Sequence, residues 1–385
     1  MIQTPFTCQR EGLTIKGMQY MPQNTEGCKN PAMIISHGFT GNYTSMEYYC
    51  KEFCKEGYVT FCFNFCGGGR IHEDPEVKSD GDSRDMNITS EVKDLCAVIE
   101  YVKALPFVDE KQIVLMGASQ GGFVSGLTAA KYGDGIQKLI MLYPALCIPD
   151  HARRGWLGGA RYDPKNVPEE IDCGKTVISR KFHEDVCHMD PFLELSGYQG
   201  QVLIIHGTED TTVDVSYSMR AKESYEKDQC ALQVVRGMTH GPNEKQMISI
   251  VASIRQFLEG RREIFAFRII ITHRNIEYIG KEKHSDIYFT GYCDGPYFQG
   301  TILPEGVDRQ ISEEDQRKAV RAEYTFDGID EDGERCFLHV VNQWGGRDWK
   351  PVITTDSKRL AWLNQKDLTA VLEGDKGGLT VRIFG

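Results

Sequence analysis

Five residues, Gly117-Ala118-Ser119-Gln120-Gly121, limit what this chain can fold into. An apolar run, Ile113-Val114-Leu115-Met116, leads into them, and a segment of mostly small residues, Gly122 to Ala130, leads out. The pattern reads as a strand, a tight turn and a helix, with a serine at the apex. In that setting G-x-S-x-G is a nucleophile elbow. A turn this sharp leaves no room for side chains at Gly117 and Gly121 and strains the backbone of Ser119. The hydroxyl is thereby held clear of the sheet, and the first helical N–H groups face whatever it attacks.

The stretches around the elbow supply companions for the serine. Upstream, a buried strand, Ala32-Met33-Ile34-Ile35, runs into Ser36-His37-Gly38-Phe39-Thr40-Gly41. A His-Gly loop at the end of an early central strand is a place for half of an oxyanion hole. The main-chain N–H of Phe39 is one expected donor and that of Gln120 the other. Such donors are worth about 3–4 kcal/mol each in acyl transfer. His37 is read as fixing the turn, with no proton-transfer role for its ring.

Downstream, Gln201-Val202-Leu203-Ile204-Ile205 is a strand that runs into His206-Gly207-Thr208-Glu209-Asp210-Thr211-Thr212-Val213-Asp214. A carboxylate just past a strand suits the acid that orients a general base. Glu209, Asp210 and Asp214 compete for that position. Asp210 is chosen, with the other two capping or solvating the loop. The strand Ala231 to Val235 is followed by Gly237-Met238-Thr239-His240-Gly241-Pro242. A histidine on a glycine-flanked loop can reach a serine and an acid together, so His240 is the expected base. The chain order Ser, Asp, His is one of several that such triads adopt.

Between these stretches the pattern alternates strand and helix. Leu13 to Tyr20 completes an opening hairpin that Pro22-Gln23-Asn24 ends. Helices are predicted over 43–56, 88–105, 216–227 and 244–258, and strands over 58–65 and 138–144. Cys66-Gly67-Gly68-Gly69-Arg70 is a turn near the active-site end, and His72 to Asp85 is a polar surface loop. The alternation predicts an α/β fold with a mostly parallel sheet covered on both faces. Residues 145–195 break the pattern and read as a lid over the pocket. Within them Asp150 is the group most expected to touch substrate.

A chain of 385 residues exceeds one ordinary core, so two domains are expected, 1–260 and 262–385. From about Arg262 short β-like runs punctuated by Gly, Asp and Pro take over: 264–271, 286–290, 297–303, 322–326, 336–341 and 379–384. They predict an all-β barrel or sandwich. The aromatics Tyr292, Tyr297, Trp344 and Trp349 are read there as barrel core and dimer surface, which leaves room for a homodimer.

Charge and cysteine content narrow the partners. A net charge of -11 argues against nucleic acid and anionic membranes. No apolar run approaches the ~20 residues of a membrane helix. The opening Met1-Ile2-Gln3-Thr4-Pro5 has no basic-then-apolar leader, so a cytoplasmic protein is expected. The 13 cysteines are scattered and read mostly as small buried hydrophobes in a reducing compartment. Cys50, Cys54, Cys62 and Cys66 lack zinc spacing, and Cys187 with His183 and His188 also fails as a metal cluster. No metal or organic cofactor is expected.

Taken together, Ser36 to Gly41, Gly117 to Gly122, His206 to Asp210 with Val213, and Thr239-His240-Gly241 carry a resemblance. Residues 1–260 resemble the α/β hydrolases of the cinnamoyl (feruloyl) esterase kind, relatives of peptidase-like and dienelactone-hydrolase-like enzymes. In the dienelactone group the nucleophile is a cysteine, which Ser119 is not. The resemblance implies a serine esterase for a small-molecule ester, hydroxycinnamate esters included, with Asp150 as the lid acid that reads a phenolic hydroxyl. The rival expectations are a peptidase-like amide hydrolase and a hydrolase scaffold used only for binding. Residues 262–385 look similar to a small uncharacterised β-barrel family through Phe289-Thr290-Gly291 and Gly295 to Pro304, which implies a fold and no activity.

Overall fold

A computed structural model describes residues 1–23, 29–69, 76–314, 316–375 and 378–385. Asn24, Arg70 and residues 72–75 of the predicted polar loop lie outside the described residues. The chain forms two compact units, Met1–Gly241 and Pro242–Gly385.

The first unit opens with strands β1 (Ile2–Arg10) and β2 (Leu13–Met21), paired antiparallel around Glu11-Gly12, both at positive φ. The chain then alternates: β3 (Asn30–Ser36), α1 (Glu47–Lys55), β4 (Val59–Phe63), α2 (Ile88–Lys103), β5 (Val108–Ala118), α3 (Gln120–Tyr132) and β6 (Lys138–Leu142). Next come α4 (Ile148–Arg153), two short hairpins, β7 (Trp156–Leu157) with β8 (Ala160–Arg161) and β9 (Glu170–Asp172) with β10 (Val177–Ser179), then α5 (Arg180–Val186) and α6 (Pro191–Leu195). The unit ends with β11 (Gln201–Gly207), α7 (Val215–Ser224) and β12 (Cys230–Val235).

Eight strands make one sheet in the order β1-β2-β4-β3-β5-β6-β11-β12. It is parallel from β4 to β12 and antiparallel only at the β1/β2 edge. The central strands are buried along their length: Ala32–Ser36, Val59–Phe63, Ile113–Ala118 and Val202–Gly207. Continuous burial, without alternation, is what a parallel sheet covered on both faces requires. This is the α/β-hydrolase fold. Helix α3 is buried along its first ten residues, Gln120 to Ala129, which explains its small side chains. At Gly126 a Cβ would lie 2.3 Å from Leu195 Cδ2 on α6, so the two helices touch through that gap.

The segment from 145 to 195 has more regular structure than its sequence suggests. Its strands are two or three residues long, too short for any periodicity to register.

In the second unit α8 (Glu244–Leu258) precedes a closed antiparallel barrel of eight strands: β13 (Glu263–Ile279), β14 (Glu282–Asp294), β15 (Phe298–Glu313), β16 (Gln316–Asp330), β17 (Arg335–Trp344), β18 (Trp349–Thr355), β19 (Thr369–Asp375) and β20 (Gly378–Phe384). The sequence boundary at 260 and the compact units differ in where α8 falls. Its Gln256 accepts a 2.5 Å hydrogen bond from Thr369 of β19. Phe265, Phe267, Phe298 and Phe326 fill the barrel. Of the four aromatics singled out in the sequence, Tyr292, Tyr297 and Trp344 are exposed, while Trp349 is half-buried and packs against both that core and Trp344.

Two barrel strands escape the sequence pattern for physical reasons. Pro351 interrupts β18, and β19 carries a buried acid. Its Glu373 accepts from Arg382 Nε of β20 at 3.0 Å, while Arg382 Nη1 reaches Glu263 at 2.9 Å. Among the described residues no helix is long and apolar enough to cross a membrane.

Arg382→Ala would remove the cation that lies 3.0 Å from Glu373, itself 3% exposed. The expected cost is about 3–5 kcal/mol in the barrel. Tryptophan fluorescence during urea unfolding of a Trp156→Phe background reads this unit, since the other three of the four tryptophans, Trp344, Trp349 and Trp362, belong to it. An unfolding curve that superimposes on wild type would overturn the expectation.

Candidate active site

The site begins with a backbone distortion. Ser119 has φ 55° and ψ −121°, outside the regions open to an ordinary L residue. The distortion is held by three main-chain hydrogen bonds. Ser119 N–H donates to Leu142 O at 2.9 Å, and Ser119 O accepts from Ala145 at 2.9 Å and Phe123 at 3.2 Å. The strand-to-helix turn is so tight that a Cβ on Gly117 would lie 2.1 Å from Gly121 O. One on Gly121 would lie 2.3 Å from His37 O. The glycines are therefore required by contact and not by flexibility.

The three residues expected to act together do meet. His240 Nε2 lies 2.9 Å from Ser119 Oγ, and His240 Nδ1 lies 2.8 Å from Asp210 Oδ2. Asp210 sits on the loop after β11 with its carboxylate fully buried. Its Oδ1 accepts from the N–H groups of Thr212 and Val213, each at 2.9 Å. Of its rivals, Asp214 caps α7 by accepting from Ser216 N–H at 2.9 Å, and Glu209 is exposed. The imidazole of His240 packs edge-on against Tyr143, with ring centroids 5.0 Å apart.

A second histidine reaches the same acid, and the sequence pattern gave it no role. His206, at the end of β11, is fully buried. Its Nε2 lies 2.9 Å from Val213 O and 3.2 Å from Asp210 Oδ2, and its Nδ1 lies 2.7 Å from Ser218 Oγ. Nε2, facing a carbonyl oxygen, is the nitrogen that carries a proton and donates there. Burial alone would raise the Asp210 carboxyl. Hydrogen bonds from His206, His240 and Val213 outweigh it and hold the group far below the usual carboxylate range. The signal for His206 was its position beside Gly207, within reach of the loop it precedes.

The loop after β3 closes on the serine. A Cβ on Gly38 would lie 3.1 Å from Ser119 Cβ and 3.6 Å from Ser119 Oγ. This brings the loop that carries Phe39 up against the serine, which itself precedes Gln120 at the start of α3. His37 fixes that loop: its Nδ1 lies 2.8 Å from Gly38 O, and its Nε2 accepts from Phe65 N–H at 3.4 Å. The turn between β7 and β8 lies against Phe39: a Cβ on Gly158 would lie 2.7 Å from the Phe39 ring and 2.6 Å from Cys173 Sγ.

The segment 170–185 is fastened to the residues leading into α2. Arg84 pairs with Glu170 at 2.6 Å and Lys181 with Asp85 at 2.6 Å. Ser83 donates to Val177 O at 2.6 Å, Ser179 donates to Arg84 O at 2.5 Å, and Thr89 N–H reaches Asp185 at 3.0 Å. Asp150, the expected substrate contact, has both oxygens engaged. Arg153 takes one at 2.5 Å and the Tyr217 hydroxyl the other at 2.8 Å. The described cysteines are all unpaired and mostly buried. Among the described residues no group of three or more His, Cys, Asp or Glu is arranged for a metal ion.

A model of the prolyl oligopeptidase family matches residues 44–261. The chain belongs to the prolyl oligopeptidase family. It is a hydrolase of the α/β-hydrolase superfamily. Among solved structures, Est1E from Butyrivibrio proteoclasticus with ferulic acid bound is similar. It is 29% identical with a TM-score of 0.60, over 66% of this chain and 98% of that one.

Two curated relatives are more distant. The quorum-quenching protein AidA of Acinetobacter baumannii is 27% identical over 122 residues, 31% of this chain and 38% of that protein. The uncharacterized peptidase YtmA of Bacillus subtilis is 24% identical over 223 residues, 54% of this chain and 75% of that protein. The residues matched to the family include Ser119, Asp210 and His240.

A carboxyl held below its usual range contributes stability that is full above the unfolded value, about 3.9, and is lost as pH falls through the folded one. Asp210→Asn is therefore expected to lower stability at pH 7. The gap from wild type should narrow as the pH drops below about 4, in urea unfolding followed by circular dichroism. A gap constant from pH 7 to pH 3 would contradict this account.

Proposed function

We propose that the protein is a serine carboxylesterase in which Ser119 is the nucleophile, His240 the general base and Asp210 the acid that orients it. The observation that carries this reading is the hydrogen-bonded run from Ser119 Oγ through the His240 ring to a buried Asp210, at 2.9 and 2.8 Å. The hydroxyl attacks an ester carbonyl as its proton passes to His240 Nε2. The N–H groups of Phe39 and Gln120 receive the developing oxyanion. Collapse of the tetrahedral intermediate expels the alcohol, which takes the proton from His240. Water, deprotonated by the same ring, then releases the acid and restores Ser119.

Hydroxycinnamate esters are the proposed substrates, supported by the 29% identity to Est1E and the ferulic acid bound there. In this reading the lid around Trp156 to Cys173 covers the acyl side of the pocket. Asp150 is the proposed lid contact; a phenolic substrate would have to compete with Tyr217 and Arg153 for its oxygens. A peptidase reading is the alternative. It is favoured by the family model and by the likeness to YtmA. Both readings share the three residues and differ in whether the scissile bond is an ester or an amide.

Ser119→Ala is expected to lower kcat by about 10⁵–10⁶-fold. The assay is a panel of p-nitrophenyl esters, methyl ferulate and an amino-acid anilide. Wild-type activity retained in the variant would end the proposal. Preference for the anilide over the esters would replace the esterase reading with the peptidase one.

A further inference from the structure

Helix α2 carries two acids on its buried stripe, Glu91 and Asp94, which are 2% and 0% exposed. Carboxylates are almost never so fully buried unless paired. Asp94 is paired: Arg10 Nε reaches it at 2.7 Å, and Cys66 N–H donates to it at 2.8 Å. Glu91 is different. Among the described residues no cation pairs with it. Both of its oxygens face one donor, Gln120 Nε2, at 2.9 and 2.8 Å. A buried carboxyl with no countercharge costs stability, so its presence calls for a use.

Gln120 is the residue whose main chain matters for the reaction proposed above. It opens α3, where its N–H has no intrahelical acceptor and is left to face an incoming ligand. That N–H shares a peptide plane with Ser119 C=O. The plane is pinned on the carbonyl side by Ala145 and Phe123. On the other side, beyond the helix itself, the tether is the Gln120 side chain, and Glu91 holds it.

We propose that Glu91 is a positioning residue: acting through the Gln120 side chain, its buried carboxylate holds the Gln120 main-chain N–H where the oxyanion forms above Ser119. The inference rests on the reading of Ser119 as nucleophile. The grip is strongest when Glu91 is ionised, because an amide donor binds a carboxylate more strongly than a neutral acid. The groups that bear on its charge are Gln120 from α3, Asp94 from α2 itself and Asp185 from α5. Burial pushes the carboxyl up to about 8, the two aspartates add to the shift, and Gln120 opposes it. Turnover should therefore climb as the pH rises through this range.

The decisive variant is Glu91→Gln, which keeps the shape and removes the charge. Hydrolysis of p-nitrophenyl butyrate is followed from pH 6 to pH 9.5, with labelling by a fluorophosphonate and thermal melting at pH 9. The expected result has three parts. First, kcat falls about tenfold at pH 9 with KM within twofold. Second, the rise in kcat near pH 8 disappears. Third, the Tm at pH 9 equals or exceeds that of wild type.

The third part follows from linkage. An acid with a raised folded pKa stabilises below its unfolded value and loses that contribution as pH rises through the folded one. Removing it therefore relieves the protein at high pH. A purely structural Glu91 would instead lower Tm along with kcat, and that outcome overturns the proposal. So does a kcat within twofold of wild type, or a rise near pH 8 that survives the substitution. Ser119→Ala, assayed alongside, separates the two claims. If wild type labels and Ser119→Ala does not, a null result at Glu91 rejects the positioning role alone. If Ser119→Ala remains active, the underlying reading fails first.

Discussion

The contact between Gly117 and Gly121 is what the first unit is built to permit. Two backbones lie closer there than any side chain would allow, and the turn between them holds Ser119 at a positive φ. That conformation costs of order 1–3 kcal/mol and persists only where its surroundings over-determine it. The surroundings here are β5, whose neighbours β3 and β6 are buried along their cores, and α3, buried for its first ten residues. A helix so enclosed cannot swing away from the sheet to relax the serine.

A second constraint is electrostatic. Two carboxyls near the proposed nucleophile are buried, and their surroundings push them in opposite directions. Asp210 has two main-chain donors and two histidines and stays a carboxylate. Glu91 has one amide and two neighbouring aspartates, which favour its proton. Glu91 lies deeper, and burial is the largest cause of its shift, whereas the donors around Asp210 outweigh burial there. His206 matters most on the Asp210 side, because it ties the acid's loop to β11 and to Ser218 of α7 while it faces Oδ2.

Much of this was legible in the sequence because local chemistry dictates it. The elbow, the His-Gly loop and the Asp210 and His240 loops each follow a strand and carry a glycine within three residues of the position singled out. Few chemistries other than acyl transfer require all of them in that order. The alternation of strand and helix likewise determined the sheet. What escaped was set by tertiary contact. Glu91 and Asp94 fall in register with Leu95 and Val98 on the buried face of α2, a hint that periodicity counts of apolar residues pass over. The barrel strands β18 and β19 were hidden by Pro351 and by the Glu373–Arg382 pair, both unlike an apolar strand. The outer half of β13, from Ile270 to Ile279, is mostly exposed and offers no polar–apolar contrast to read. Asp150 looked available because sequence does not reveal that Arg153 and Tyr217 occupy it.

The ties between residues 170–185 and the start of α2 bear on the elbow as well. Arg84, Asp85 and Thr89 hold Glu170, Lys181 and Asp185, and two residues beyond Thr89 the same stretch of chain supplies Glu91. Residues 170–185 and the Gln120 side chain are thus anchored on one short span at the start of α2. The Asn87 capping box closes the first turn of that span, so a change in this one turn reaches both contacts together.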